Sequence, residues 1–256
     1  MYLDLPADAA RGYKSLSQRA RVMTQAWGRE NLYCPACPSK GLEAAPEGME
    51  VIDFSCPRCE SPYQLKSKSG PFGRSVVNSA YAPKIRAIMN GTAPNYLFMR
   101  YDPDALKVRE LFVVPRHFLS PDVIEERSAL KATARRSGWV GSNILLYRLP
   151  PEARIPLVDS GSAIDPRRVR AVWRQFSFFG ELSPKFRGWT SDVLSCVRRI
   201  GKTDFMLDDV YSFERELSRL HPQNRNVRPK IRQQLQVLRD FGILKFEGEG
   251  RYRLIR

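Results

Sequence analysis

No apolar run in this 256-residue chain exceeds four residues; LFVV at 111–114 and ILLY at 144–147 are typical. A bilayer-spanning helix needs 18 or more, so no membrane segment is expected. The opening MYLDLPADAARGYKS has no basic stretch followed by an apolar one. No export signal is therefore expected, and the cytoplasm is the expected compartment. Histidine is scarce: only His117 and His221 occur, neither at the spacing of a metal pair or a catalytic triad, and both are assigned structural or surface roles. Carboxylates are outnumbered, with 27 Asp and Glu against 42 Lys and Arg, a net charge of +15 and a pI near 9.9. That balance favours a polyanionic partner, nucleic acid first. Five cysteines in a reducing compartment argue against a disulfide framework.

Four of those cysteines form a pattern. Cys34-Pro-Ala-Cys37 and Cys56-Pro-Arg-Cys59 are two CxxC pairs separated by 18 residues, the arrangement that two opposed knuckles need to place four thiolates on a tetrahedron. Zinc is the expected ion. A closed four-thiolate site keeps no position open for water, so the expected role is structural. Cys196 stands alone in an apolar helical pattern and reads as a buried, inert thiol.

The second CxxC pair sits inside EVIDFSCPRCESPYQLKSK, residues 50–68. Residues 51–54 and 63–66 read as short strands joined by the knuckle. Gln64 and Lys66 then share a face while Leu65 points into the core, because side chains alternate along a strand. If the strands pair, Asp53 comes beside both, close to the D-x(n)-(D/E)-x-K layout of a magnesium-dependent nuclease. Phosphodiester hydrolysis brings water to a polyanion and must stabilise added charge, which a carboxylate-held Mg2+ does. Asp53 is the expected ligand, with the Gln64 amide oxygen and the Leu65 backbone carbonyl beside it; Lys66 would position the attacking water. Gln64 stands where the general motif has an acid, so Glu50 or Glu60 is a candidate for the missing charge.

Three helices are predicted toward the C-terminus. The first covers 189–200, with Thr190 or Ser191 as N-cap, the second about 207–220, and the third about 227–241, ended by Gly242. A hairpin about Gly248-Glu249-Gly250 follows. Helices and hairpin together make a winged helix. From Arg225 to the C-terminus nine Lys or Arg face three acidic residues, so charge is concentrated there. Asn226, Arg228, Lys230, Arg232 and Gln233, in the N-terminal half of the third helix, are the expected contacts to bases and phosphates.

At this point the chain resembles the DpnI-type restriction endonucleases, which cleave GATC sites when the adenine is N6-methylated. The blocks that carry the resemblance run in order along nearly the whole length: YKSLSQRARVMTQAW, the two CxxC pairs, LKSKSG, TARRSGWVGSNI, RGWTSDVL and KIRQQLQVLRD. The resemblance implies a PD-(D/E)xK nuclease core of α/β class with an embedded four-cysteine zinc site, followed by a winged helix. It maps the catalytic Asp and Lys onto Asp53 and Lys66, and the acid of the motif onto Gln64. The expected partner is adenine-methylated double-stranded DNA, the expected catalytic cofactor Mg2+, and the expected state a monomer in solution.

Methyl recognition has its own demand. Burying one methyl is worth about 0.8 kcal/mol, roughly fourfold, so a void left by its absence and a second methyl on the palindrome must add discrimination. Trp139, after Arg135 and Arg136, resembles the family's methyl-contacting Trp; packing in the core is the other reading of this side chain. Trp189 is expected in the core. Elsewhere the periodicity predicts helices over 15–29 and 75–89 and strands over 95–101, 110–114 and 154–158. The domains are expected at 1–182 and 183–256, with the linker in 179–187. The alternative function is a zinc-containing winged-helix regulator that binds DNA without cutting it.

Overall fold

The computed structural model describes residues 1–46 and 51–255; Glu50 lies outside the described residues. The chain begins with α1 (Leu16–Asn31), which buries Met23, Trp27 and Gly28. Two short strands, β1 (Glu43–Ala44) and β2 (Phe54–Ser55), lead to β3 (Pro62–Lys68). A Cβ on Gly28 would sit 2.6 Å from Phe54 Cζ, so only glycine lets α1 approach β2 this closely.

Then come β4 (Ser75–Ala80), α2 (Tyr81–Met89), β5 (Asn95–Asp102), β6 (Lys107–Val114), β7 (Ile124–Glu126), β8 (Gly141–Leu145), β9 (Ile155–Asp159) and β10 (Ser162–Ala163). Seven strands form one sheet in the order β1-β2-β3-β5-β6-β9-β10, in which only β3 and β5 run parallel. A smaller sheet, β4-β8-β7, covers part of one face. Alternation along β5 divides the interior: Tyr96 and Phe98 join one apolar core, Leu97 and Met99 the other. The second core receives Trp27 of α1 and Trp173 of α3 (Pro166–Gln175), whose first turn is capped by the Asp165 carboxylate accepting from Arg167 N–H.

The C-terminal part comprises α4 (Pro184–Ile200), β11 (Asp204–Met206), α5 (Leu207–Tyr211), α6 (Glu214–Leu220), α7 (Val227–Asp240), β12 (Leu244–Gly248) and β13 (Arg251–Leu254). The strands form a sheet in the order β11-β13-β12, which makes the wing. Val193, Leu194 and Val197 of α4 pack with Ile231, Leu235 and Leu238 of α7 in the same core that holds Tyr96 and Phe118, and Trp189 and Cys196 are buried there as expected. Arg148 and His221 both bond the buried Asp192 of α4, at 2.9 and 2.8 Å, while Trp189 stacks on His221. Phe178 stacks on Phe241 with ring centroids 4.2 Å apart. Among the described residues no helix is long and apolar enough to cross a membrane.

Several expected elements need correction. Residues 75–80 are a strand, not the first half of a helix: β-branched Val76 and Val77 pair with β8, and only Tyr81–Met89 is helical, with Pro83 tolerated in the first turn. The strand expected from 51 starts only at Phe54, because Val51 turns at a φ of 76°. Helix α4 begins five residues earlier than 189, at Pro184 after Ser183, so Thr190 and Ser191 are interior rather than caps. Thr190 donates to the Phe186 carbonyl, and its hydroxyl lies 2.7 Å from Gln234 Oε1 of α7. The helix expected over 207–220 is two, α5 and α6, interrupted at Ser212 and Phe213.

Candidate functional site

The four thiolates of Cys34, Cys37, Cys56 and Cys59 converge, every pair of sulfurs lying within 4.8 Å. Cys34 and Cys59 are 3.7 Å apart, Cys37 and Cys56 3.5 Å. A tetrahedral site with Zn–S bonds of about 2.3 Å separates its sulfurs by about 3.8 Å, so the cluster fits an ion of that kind and could hold zinc. The knuckles are anchored on both sides. Arg170 of α3 donates to the carbonyls of Cys34 (3.1 Å) and Ser39 (2.9 Å), and Tyr63 of β3 places its hydroxyl 3.2 Å from Cys34 Sγ. Arg170 was not foreseeable from the cysteine spacing, since 131 or more residues separate it from its partners.

Tyr63 faces the cysteines; its neighbour Gln64 faces the opposite side of β3, toward the second site. Asp53 N–H donates to the Tyr63 carbonyl at 2.9 Å, so Asp53 sits at the edge of β3 just beyond the end of β2. Its carboxylate accepts from the Leu65 backbone N–H (2.8 Å) through Oδ2 and from the Gln25 amide of α1 (3.0 Å) through Oδ1. On a strand a residue's N–H and C=O point to the same edge, so the Leu65 carbonyl is directed toward Asp53 as well. Gln64 is buried, yet among the described residues its Oε1 has no hydrogen-bond donor. A buried acceptor without a partner is costly, and it fits a cation. Lys66 follows on the same face; burial lowers its pKa, and the charge of Asp53 acts against that shift. Asp53, Gln64 and Lys66 line one pocket of about 390 Å3, together with Arg21, Thr24 and Gln25 of α1. Gln25 and Arg21 carry no sequence signal for this place, because the contact depends on how α1 lies across β3.

The remaining expected site residues lie apart from this pocket. Arg135, Arg136 and Trp139 belong to the segment between β7 and β8, where the two arginines are exposed and Trp139 is half-buried. Trp139 belongs to neither apolar core; it lies over Gly141, where a Cβ would meet its ring at 2.8 Å. On α7, Arg232 and Gln233 project outward and Asn226 occupies the N-cap. Arg228 turns aside to Glu214 (2.7 Å) and the Tyr211 ring, and Lys230 lies over Phe186 of α4. The outward face also carries Gln236, and Arg225 stands exposed just ahead of the N-cap. The 3.6-residue period could have found Gln236, which follows Arg232 by one turn.

A four-cysteine cluster in an α/β part, followed by a winged helix, defines a metal-site protein with a C-terminal domain of DNA-binding type. The DpnI family model, described as the Dam-replacing family, matches residues 1–181, and the Dam-replacing HTH domain matches 185–254. The chain belongs to this family. Membership supports a methyl-directed restriction enzyme, a nuclease that binds and hydrolyses DNA, and the expected α/β nuclease core followed by a winged helix stands.

Proposed function

We propose that this protein is a Mg2+-dependent endonuclease that cuts double-stranded DNA at GATC sites carrying N6-methyladenine. The observation that carries the reading is the meeting of a carboxylate, an orphaned buried amide oxygen and a half-buried ammonium beside one strand, contributed by Asp53, Gln64 and Lys66. Asp53, Gln64 Oε1 and the Leu65 carbonyl would hold Mg2+, which when bound supplies Lewis-acid polarisation of the phosphate. Gln25 and the Leu65 N–H fix the Asp53 carboxylate before any ion arrives. Lys66 holds the attacking water. The four cysteines hold structural Zn2+ and fasten the hairpin that presents the site.

In this reading residues 1–182 cut and 183–256 read the sequence, the protein acting as a cytoplasmic monomer. Asn226, Arg232 and Gln233 face base edges, with Arg225 and Gln236 beside them, while Arg228 and Lys230 flank the face toward phosphates. Arg135 and Arg136 approach the duplex from the other part, and half-buried Trp139 offers its ring to the N6-methyl group. Family membership favours this reading over the non-cutting regulator.

Incubating Dam-methylated and unmethylated plasmid with Mg2+ tests it. Cutting of the methylated plasmid alone is the expected result. Binding of both plasmids with cleavage of neither transfers the protein to the regulator class. In the same assay Lys66→Ala should lose cleavage by about 100-fold or more while binding DNA within about twofold of the wild type.

A further inference from the structure

On the Gln64 side of the sheet lies a buried lysine that the mechanism above does not use. Lys84, on α2, is 5% exposed and among the described residues pairs with no carboxylate. Its one hydrogen bond runs from Nζ to the Tyr96 hydroxyl, at 2.7 Å. Tyr96 is the register partner of Gln64 across the parallel β3–β5 pair, so the two side chains share a face of the sheet. Asn78 of β4 stands beside the same hydroxyl; it is 6% exposed, and among the described residues its Nδ2 completes no hydrogen bond. Burial, then the charge of Lys66, pull the Lys84 pKa down to about 7.

This is an expensive arrangement to keep for packing alone. An isolated buried ammonium is disfavoured, a second cation nearby raises that cost, and an apolar side chain of the same length would fill the space without it. The donors have a common deficiency, in that Lys84 retains two N–H groups and Asn78 one amide group with no acceptor. Gln64 has the opposite one, an oxygen with no donor. One face of β3 and β5 thus presents an oxygen suited to a cation next to nitrogens suited to an anion. A metal-bound phosphodiester satisfies both.

We propose that Lys84 and Asn78, braced by the Tyr96 hydroxyl, form an anion subsite next to the Asp53–Gln64–Lys66 pocket, reached through the Gln64–Tyr96 pair, that takes a non-bridging phosphate oxygen of the DNA. The inference rests on the nuclease reading of Asp53, Gln64 and Lys66 and adds a phosphate-binding residue to it. Lys84 then contributes mainly at the cleavage step, because the bulk of DNA affinity comes from the exposed basic surfaces.

The test compares wild type, Lys84→Met and Tyr96→Phe in single-turnover cleavage of a methylated duplex at saturating protein with Mg2+. Duplex affinity with Ca2+ in place of Mg2+, and the Tm of each protein, are measured alongside. Lys84→Met is expected to cleave about 100-fold more slowly, with affinity within about threefold and a Tm equal to or above that of the wild type. Tyr96→Phe, which keeps the ammonium but not its brace, should fall between the two. Lys84→Met cleaving within threefold of the wild type, or losing cleavage only together with a lower Tm, overturns the subsite. Wild type that leaves methylated DNA intact overturns the nuclease reading first, so the two failures are distinguishable.

Discussion

A single amide stands where a second carboxylate would make the metal pocket more acidic, and its consequences can be measured. With Gln64 neutral, Asp53 supplies the only side-chain negative charge among Asp53, Gln64 and Lys66. Divalent affinity grows with the number of ligand charges. Gln64→Glu should therefore lower the Mg2+ concentration for half-maximal cleavage by about tenfold, read from a Mg2+ titration of the methylated-plasmid assay; an unchanged midpoint would place Gln64 outside the metal pocket. Glu60, a candidate for the missing charge, is exposed at a φ of 56° in the knuckle and does not line the pocket.

His117 is a second residue whose behaviour follows from its setting. It is buried, its Nε2 has no partner, and its ring packs edge-on against Trp173. Burial first, then the charges of Arg187 and Arg116, pull its pKa down to about 3. The unfolded chain protonates this ring near 6.5 and the folded chain does not, so the stability that His117 contributes is complete above 6.5 and drains as pH falls toward 3. The loss amounts to about 1.4 kcal/mol per pH unit at most. His117→Phe should flatten the fall in Tm between pH 6.5 and 5. Parallel Tm profiles for variant and wild type would assign the acid sensitivity to other groups.

At the scale of elements, α7 and the wing divide labour. Buried Val227, Ile231, Leu235 and Leu238 fix which side of α7 faces the core, leaving Arg232, Gln233 and Gln236 outward. Arg232→Ala should weaken duplex binding by about 1–2 kcal/mol and lower the salt slope of binding by about 1, whereas Lys245→Ala on β12 should leave base preference unchanged. Fluorescence anisotropy across a salt series measures both.

Much of this element level was legible in the sequence. The helices at 16–31 and 227–240, the strands at 62–68 and 95–102 and the wing hairpin all carry the period of their own structure. The failures share a cause. Residues 75–80 become a strand only because β8, more than 60 residues later, supplies a partner, and Thr190 is interior only because Gln234 meets it across α4 and α7. Such contacts leave no trace in local periodicity. The candidate site divides the same way: Asp53, Gln64, Lys66 and the cysteines follow from spacing, while Gln25, Arg170 and Lys84 enter through tertiary contacts.

The molecule as a whole is tied across its two parts by charge as well as by apolar packing. Asp192 is buried between Arg148 and His221, and truncating it leaves an arginine that is only 11% exposed without a counter-charge. Asp192→Ala should cost about 3–5 kcal/mol, seen as a lower denaturation midpoint, with the loss of one transition rather than the appearance of two. Two separate transitions would show that the parts fold independently.

Helix α4 is interior on both of its flanks, pressed on one side by α7 and on the other by the turns around Ser120 and Asp122, where Gly188 leaves no room for a methyl group. The wing is therefore no exchangeable cartridge. A foreign reading head spliced in after residue 183 would arrive with the wrong floor, and retargeting this protein means repainting the outer side of α7 one side chain at a time.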